Sequence, residues 1–513
     1  MQTMFPAWKR RLLTGMACAC TMLTFLNMGC ITAATPDLSG TFVVGTLDVS
    51  WSGAACPLGT ALSFTAAYLW ARIGLRRSLR TALLIMLAGT LLGLAADHFF
   101  LMIAARFLQG AGGGLALVYG TGLVNAALPP ERRGVAMGVK LCSIGLASCA
   151  SPVVGCLLVQ YWHWRGLFVI VGAAAAVLAV LTTLYVPNQK IPKGGKFDWF
   201  SFLAVGMGCV CMLMVLIYGE TDGWTAPGVL AWMYGGFCSF ALAFISCMTH
   251  RTPLLDVRVL GNWRFLCGLL ASLCNIFCIC WVRVGTVQFM RNVMNYEPVG
   301  IAYVFMVLVA GFCGGAALVL PLMQKGRLAL RVGMMAGLLA LGASAFFLSR
   351  LDAGCSWLDV AWPLGLFGIG YAFCLNTATP LALRGVEGRS AAASSRTLNT
   401  VRYIFISLYV SSVSTVLAHM KTGFRFSMAE QVRDDSPGTA HTLDMWQRHF
   451  AETGGTAREI HASVDAVLQK AVALQSQVFS VDTFYLCTVI VGAAGVLFAL
   501  FCLKSGQERK AAS

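Results

Sequence analysis

Charge is scarce in this chain of 513 residues: Asp, Glu, Lys and Arg together make up 11% of it. A soluble domain carries roughly 25% charged residues and about 45–50% apolar ones. Here 58% of the residues are hydrophobic and the mean hydropathy is +0.75. That balance excludes a water-soluble enzyme, and it excludes a disordered or fibrous chain. Acids are scarcer than bases, 21 against 37, for a net charge of +16. In a soluble protein such an excess points to nucleic acid. In a chain this apolar it points to cytoplasmic anchoring of membrane loops.

Signatures of chemistry are also missing. The sequence has no Gly-x-x-x-x-Gly-Lys-Ser/Thr loop, so it carries no P-loop ATP engine. It has no His-Glu-x-x-His, and its seven His are scattered. No pair of deep carboxylates suggests an intramembrane hydrolase. Neither an enzyme nor a cofactor or metal is expected. Cysteine, by contrast, is plentiful at 20 residues, most of them inside apolar runs. In pairs such as Cys18/Cys20, Cys209/Cys211 and Cys278/Cys280 the partners sit two apart. On a helix they point about 200° away from each other. They read as small hydrophobes, not metal clips.

What the chain has in quantity is apolar length. A spanning helix takes about 20 apolar residues. Fourteen runs qualify, near 12–34, 48–71, 80–96, 99–126, 134–160, 166–187, 199–219, 228–248, 264–290, 298–320, 331–348, 358–383, 391–419 and 480–503. An even count places both termini on one side. The loops on that side hold 24 Lys and Arg; those on the other hold nine, six of them in one long loop. Long loops count little for orientation, so both termini are expected in the cytoplasm. Lys9-Arg10-Arg11 before an apolar stretch could also open a secretory signal, and Leu26-Asn27-Met28-Gly29-Cys30 faintly resembles a lipidation site. The stretch outruns a signal core, and an uncleaved first span is the expectation.

Residues 420–479 form the one large polar insertion, expected outside. From Ala457 to Phe479 the apolar positions Ile460, Val464, Val467, Leu468, Ala471, Leu474 and Val478 recur at three- and four-residue steps, which predicts an amphipathic helix. It could lie on the outer membrane surface, pack on neighbouring loops or dock a partner. With no soluble catalytic domain and no ATP engine, transport driven by an existing gradient is the expected activity. Gly-x-x-x-Gly steps at Gly110/Gly114, Gly134/Gly138 and Gly333/Gly337 suit closely packed, moving helices. Pro57 and Pro152 put local kinks in two runs.

At this point the residues resemble a family. Ala105-Arg106-Phe107-Leu108-Gln109-Gly110 and Leu128-Pro129-Pro130-Glu131-Arg132-Arg133-Gly134 look like the fourth-span and following-loop signature of the major facilitator superfamily. Ser151-Pro152-Val153-Val154-Gly155, then His163-Trp164-Arg165-Gly166-Leu167-Phe168, resemble the antiporter motif of span five and the turn after it. Tyr68-Leu69-Trp70-Ala71-Arg72-Ile73-Gly74-Leu75-Arg76-Arg77 resembles the loop between spans two and three. Phe197-Asp198 opens the seventh run, and Arg389-Ser390-Ala391-Ala392-Ala393-Ser394-Ser395 precedes the thirteenth. With fourteen spans and a long loop before the last, the chain is similar to the fourteen-span drug:proton antiporters of the EmrB/QacA type, over nearly its whole length. The resemblance implies an all-α polytopic fold: a six-helix bundle over 1–187, two linker spans over 188–250, and a second six-helix bundle over 251–513. It implies alternating access about a central cavity in a bacterial inner membrane, with protons and a small hydrophobic substrate as partners. Gly74, Arg76, Arg77, Pro152 and Gly155 become conformational elements. Where the cell has an outer membrane, relatives often work with a periplasmic adaptor, and the loop 420–479 offers a docking surface.

Ionisable groups deep in a span are costly and functional by default. Arg106, Arg283 and Arg402 lie inside runs; Lys140 lies near enough to an end to snorkel. In the family the basic residue of span four is implicated in proton relay, and Arg106 matches that position. Asn27, Gln109 and Asp48 complete the set of candidate coupling or cavity residues. Many relatives carry an Asp in span one, nine residues before a Pro. Here that position, counted back from Pro36, is Asn27, which does not titrate near neutral pH. Ala71 replaces the acid of the loop motif, and Ser151 and Cys156 replace glycines of the antiporter motif. Coupling then falls to another carboxylate, Asp48, or to Arg106 itself. A buried cation needs a compensating anion, and this chain offers guanidinium groups instead. The expected substrates are hydrophobic and neutral or weakly acidic, gripped by aromatic and Met side chains. A metabolite uniporter or importer, or a non-transporting membrane sensor or assembly factor working through 420–479, are the alternatives.

Overall fold

Inside a bilayer no water pairs with backbone N–H and C=O groups, so an apolar chain satisfies them within itself as helix. The computed structural model describes residues 5–45, 47–191, 197–250, 255–322, 327–352, 354–383, 390–431, 437–452 and 457–504, and among these it contains helix and no strand. Lys193, Lys196, Arg251, Lys325, Arg384, Arg389, Arg433, Arg509 and Lys510, counted above for orientation or motif, lie outside the described residues.

The order is α1 (Ala7–Cys30), running through a 3-10 turn (Ile31–Ala34) into α2 (Thr35–Phe42); α3 (Ser50–Ala61), a 3-10 turn (Leu62–Thr65) and α4 (Ala66–Ile73); then α5 (Leu75–Leu94), α6 (Phe99–Ala127), α7 (Pro130–Tyr161) and α8 (Gly166–Tyr185). Next come α9 (Trp199–Asp222) and α10 (Pro227–Thr249). The rest of the chain forms α11 (Trp263–Asn292), α12 (Pro298–Leu322), α13 (Arg327–Leu348), α14 (Trp357–Leu383), α15 (Ser390–Gln431), α16 (Pro437–Glu452) and α17 (Ala457–Lys504).

Among the described residues, thirteen helices are long and apolar enough to cross a membrane. The predicted run 48–71 is not among them. Pro57 lies inside α3, and the 3-10 turn at Leu62–Thr65 separates α3 from α4. End to end, Ser50 to Ile73 still spans roughly 36 Å at about 1.5 Å per residue. This crossing is therefore made in pieces.

Small residues set the helix packing. A Cβ on Gly110 would lie 1.9 Å from the Cys56 carbonyl oxygen of α3, and one on Gly114 would lie 2.4 Å from that of Thr60. The α3 and α6 backbones thus touch where no side chain intervenes. The predicted Gly333/Gly337 step packs on α14, with Gly337 against Cys374 and Gly370; Gly134 has nothing near it. In the first part of the chain α1 packs on α6 and α7, and α5 on α6 and α8. In the last part α14 packs on α12 and α13, and α17 on α11 and α13. The two parts meet through α7 with α12 and α3 with α15. The helices α9 and α10 pair with each other, and α10 leaves Tyr234, Phe237 and Ile245 exposed on its outer side. Such a face suits lipid.

The insertion 420–479 takes a different form from the predicted one. The amphipathic segment is not a separate helix. It is the first half of α17, one 48-residue helix that continues into the last span. The reason lies in the residues: from Ala457 to Lys504 there is no proline, and no glycine before Gly492, so nothing breaks the hydrogen-bond ladder. In the same way α15 carries the thirteenth span on to Gln431. Val464 and Val478 are buried, Ala471 and Leu474 are exposed, and α16 packs against α17.

Candidate functional site

Between the two parts of the chain lies a cavity of about 550 Å³. Its walls come from α1, α6 and α7 on one side and α11, α14 and α15 on the other. The lining runs from Ser148 and Arg283 at depth to Gly134, Leu383 and Ser395 near the helix ends. Most of it is apolar: Phe25, Met28, Ile144, Ile276, Ile279 and Leu375 contribute. Polar groups recur on α11 at Ser272, Asn275 and Arg283, at spacings that keep one helix face toward the cavity.

Three cations line this space, and among the described residues no carboxylate does. Arg402 donates from Nε to Ser272 Oγ at 2.7 Å and from Nη1 to Thr379 Oγ1 at 2.8 Å. Arg283 donates from Nη1 to the Ser148 carbonyl at 3.2 Å and to Ser151 Oγ at 3.3 Å. Lys140 donates from Nζ to Thr121 Oγ1 at 2.9 Å and to the Leu117 carbonyl at 3.2 Å. Neutral oxygens thus orient each cation without cancelling its charge. Three buried atoms around the cavity have no partner among the described residues: Arg402 Nη2, Arg283 Nε and Asn275 Oδ1. A buried polar atom left unpaired is costly, and a ligand can supply what is missing.

The antiporter-motif segment shapes the deep end. Gly155 of α7 sits against α1, where an added Cβ would come 2.5 Å from the Cys30 carbonyl oxygen. Ser151, which stands where the motif has glycine, is accommodated by Gly29 of α1 and accepts the Arg283 bond. The departure from the motif therefore supplies a cavity contact. Pro152 follows it, buried inside α7.

Arg106 does not line this cavity. It is 2% exposed, inside the packing of the first six spans. Its Nη1 donates to Asn27 Oδ1 at 2.7 Å and Gln109 Oε1 at 3.0 Å, its Nη2 to the Asn27 carbonyl at 2.9 Å, and its Nε to the Ser52 carbonyl at 3.3 Å. Gln109 Nε2 passes the chain on to Thr90 Oγ1 at 3.0 Å. The network ties α1, α3, α5 and α6 together without a carboxylate. Asp48, half-buried, lies in the turn before α3, four residues ahead of Ser52. The structure therefore joins Asn27, Arg106 and Gln109 in one cluster and places Arg283 and Arg402 at separate points on the cavity wall; Asp48 stands apart from both. Lys140, which sequence reasoning left to snorkelling, and Asn275 are cavity residues it missed. Asn275 was findable as a lone amide in the middle of an apolar run.

At the opposite end of the molecule the halves are tied. Arg291 of α11 donates from Nη1 to the Ala33 carbonyl at 2.9 Å and pairs with Asp37 of α2 at 3.7 Å. On the cavity side, Gly74 has φ of +85° and ends α4, a conformation glycine adopts freely. It lets Trp70 Nε1 and the Leu75 amide reach the Gln189 carbonyl at 3.0 and 2.8 Å, while Arg76 Nε donates to the Val186 carbonyl. The loop thus clamps the end of α8. Arg77 is exposed.

These features define a multi-pass membrane transporter fold with a cavity between its halves. The sequence profile of the Major Facilitator Superfamily matches residues 17–409, and the chain belongs to that superfamily. Multidrug resistance protein Stp of Mycobacterium tuberculosis is 26% identical over 401 residues, 77% of this chain and 74% of that one. Putative multidrug resistance protein MdtD of Cronobacter sakazakii is 25% identical over 376 residues, 73% and 77% of the two chains. Among solved structures, a bacterial homolog of the human lysosomal transporter Spinster, inward-facing and unoccupied, superposes with a TM-score of 0.61 at 16% identity, covering 98% of this chain and 99% of that one. The fourteen-span drug-transporter resemblance is consistent with these relatives.

Proposed function

We propose that the protein is a proton-driven exporter of hydrophobic neutral or weakly acidic compounds, of the multidrug type, working by alternating access in a bacterial inner membrane. One observation carries the substrate reading. The cavity between the halves holds three cations, and no acid stands among its described lining residues. A lipophilic cation entering there meets like charge in a medium of low dielectric; a neutral or acidic compound does not.

The halves 1–187 and 251–513 rock about this cavity, with 188–250 as linker spans. The excess of basic loop residues supports a cavity mouth at the cytoplasmic face, with substrate loading from inside. The Arg291–Asp37 tie then tethers the two halves at the outer face. Coupling runs through Asp48, the acid that precedes α3. Asp48 stands four residues before Ser52, whose carbonyl accepts from Arg106 Nε. A neutral Asn27 leaves Arg106 without an internal counter-charge, so that network responds to charge arriving from outside it.

The test is flux in proteoliposomes with an imposed pH gradient, using a naphthoate probe and protein-free vesicles as the control. The gradient should accelerate flux through the wild type. Asp48→Asn should lose that acceleration and keep exchange at equal pH. Flux indifferent to the gradient would instead make the chain a uniporter and overturn the coupling.

A further inference from the structure

The cations of the cavity are not gathered at one point. Arg402 is pinned beside Ser272, close to the mouth, and Lys140 lines the same region from the facing side. Arg283 is pinned at depth by Ser148 and Ser151. The separation comes from helix geometry. Ser272 and Arg283 are eleven residues apart on α11, roughly 16 Å of rise; Lys140 and Ser148 are eight apart on α7, roughly 12 Å. Two helices from opposite halves thus give similar spacings. Between the two levels the wall is mostly apolar, with Ile144 on α7, Ile276 and Ile279 on α11, and Leu375 on α14, and Asn275 of α11 adds one amide.

We infer that the cavity is built for organic dianions: elongated molecules with an acidic group at each end of an apolar body. The inference rests on the exporter reading above and sharpens its substrate class. One carboxylate reaches one level only and leaves the other, half-buried guanidinium without a counter-charge. Two acids separated by an apolar body of about 12–16 Å by the same helix rise meet both. The unspent atoms fit this division. Arg402 Nη2, near the mouth, and Arg283 Nε, at depth, are buried atoms without a partner among the described residues, one at each level. Asn275 Oδ1, on the helix between them and 3% exposed as a residue, accepts a hydroxyl or amide donor from the body.

The experiment is equilibrium binding to the full-length purified protein. Three probes are compared: stilbene with a carboxylate at each para end, its single-carboxylate analogue, and terephthalate, whose two acids are too close to span the levels. The stilbene dicarboxylate should bind about tenfold more tightly than either of the others, the worth of one added charge-assisted contact. Arg283→Gln should bring it down to the affinity of the single acid, Arg402→Gln, which leaves Lys140 at the mouth, should lose part of the gain, and Arg→Lys at either site should keep more of it than Gln does. Equal binding of the dicarboxylate and the single acid to the wild type overturns the inference and leaves the exporter reading standing. A probe set that fails entirely while a lipophilic cation binds overturns both. The wild-type comparison decides the matter even where a variant does not fold.

Discussion

Replacing Arg106 by methionine separates two roles of that residue. Methionine keeps much of the length and removes the charge and every donor. Asn27 Oδ1 and Gln109 Oε1 then lose their Arg106 contacts of 2.7 and 3.0 Å, in surroundings where Asn27 is 5% and Gln109 0% exposed. An orphaned buried acceptor costs about 1–3 kcal/mol, so the two together cost about 2–6 kcal/mol. Removing a buried guanidinium relieves part of its desolvation and offsets some of this. The net expectation is a destabilisation of about 2–4 kcal/mol by the same two principles, measured as a lowered midpoint in unfolding by a denaturing detergent. The triple change Arg106→Met, Asn27→Leu, Gln109→Leu removes the orphaned groups with the donor and should recover most of that loss. Transport at equal pH should then survive in the triple variant, while acceleration by a pH gradient should not. A stable single variant would show that Arg106 does not hold the cluster together, and a triple variant that still responds fully to the gradient would show that coupling does not pass through it.

The packing and the end contacts set the outcome of other perturbations. Gly110→Ala forces a Cβ against the Cys56 carbonyl of a neighbouring helix and should cost about 2–3 kcal/mol, visible in the same unfolding titration. Asp37→Asn weakens the tie to Arg291, whose side chains are 27% and 37% exposed. Such a pair contributes under about 1 kcal/mol. The population of the state open at that end should therefore rise by no more than about fivefold, read as a longer spin-label distance between α2 and α11. Excising α16 and bridging Gln431 to Ala457 with a flexible linker should leave flux unchanged. Its loss would favour the sensor or assembly alternative.

Much of the fold was legible in the sequence because the bilayer allows so few backbone solutions. Thirteen of the fourteen apolar runs correspond to helices that meet the length and composition of a span. The exception, 48–71, is not one continuous helix for a local reason: Pro57 lies inside α3, whose Gly59 and Thr60 press against α6, and a 3-10 turn parts α3 from α4. The helix over 457–479 was correctly read from its periodicity, but its attachment was not. Periodicity reports a face, and continuity with the last span depends on the lack of a breaker at the junction. The site was legible as a set of buried charges and illegible as an arrangement. Arg106 and Arg283 lie at similar depths in their runs, yet one faces its own helix bundle and the other the space between halves. Which way a helix turns is set by its neighbours, and composition carries no record of it. Lys140 shows the same limit. Its distance from the helix end suggested snorkelling, whereas Thr121 and the Leu117 carbonyl hold it at the cavity.

The charge of the preferred substrate is decided by the cations of the cavity. Efflux of a lipophilic acid and of a lipophilic cation, matched in size, is followed from the same cells with and without the protein. A cavity walled by Lys140, Arg283 and Arg402 predicts faster export of the acid. Faster export of the cation would contradict it.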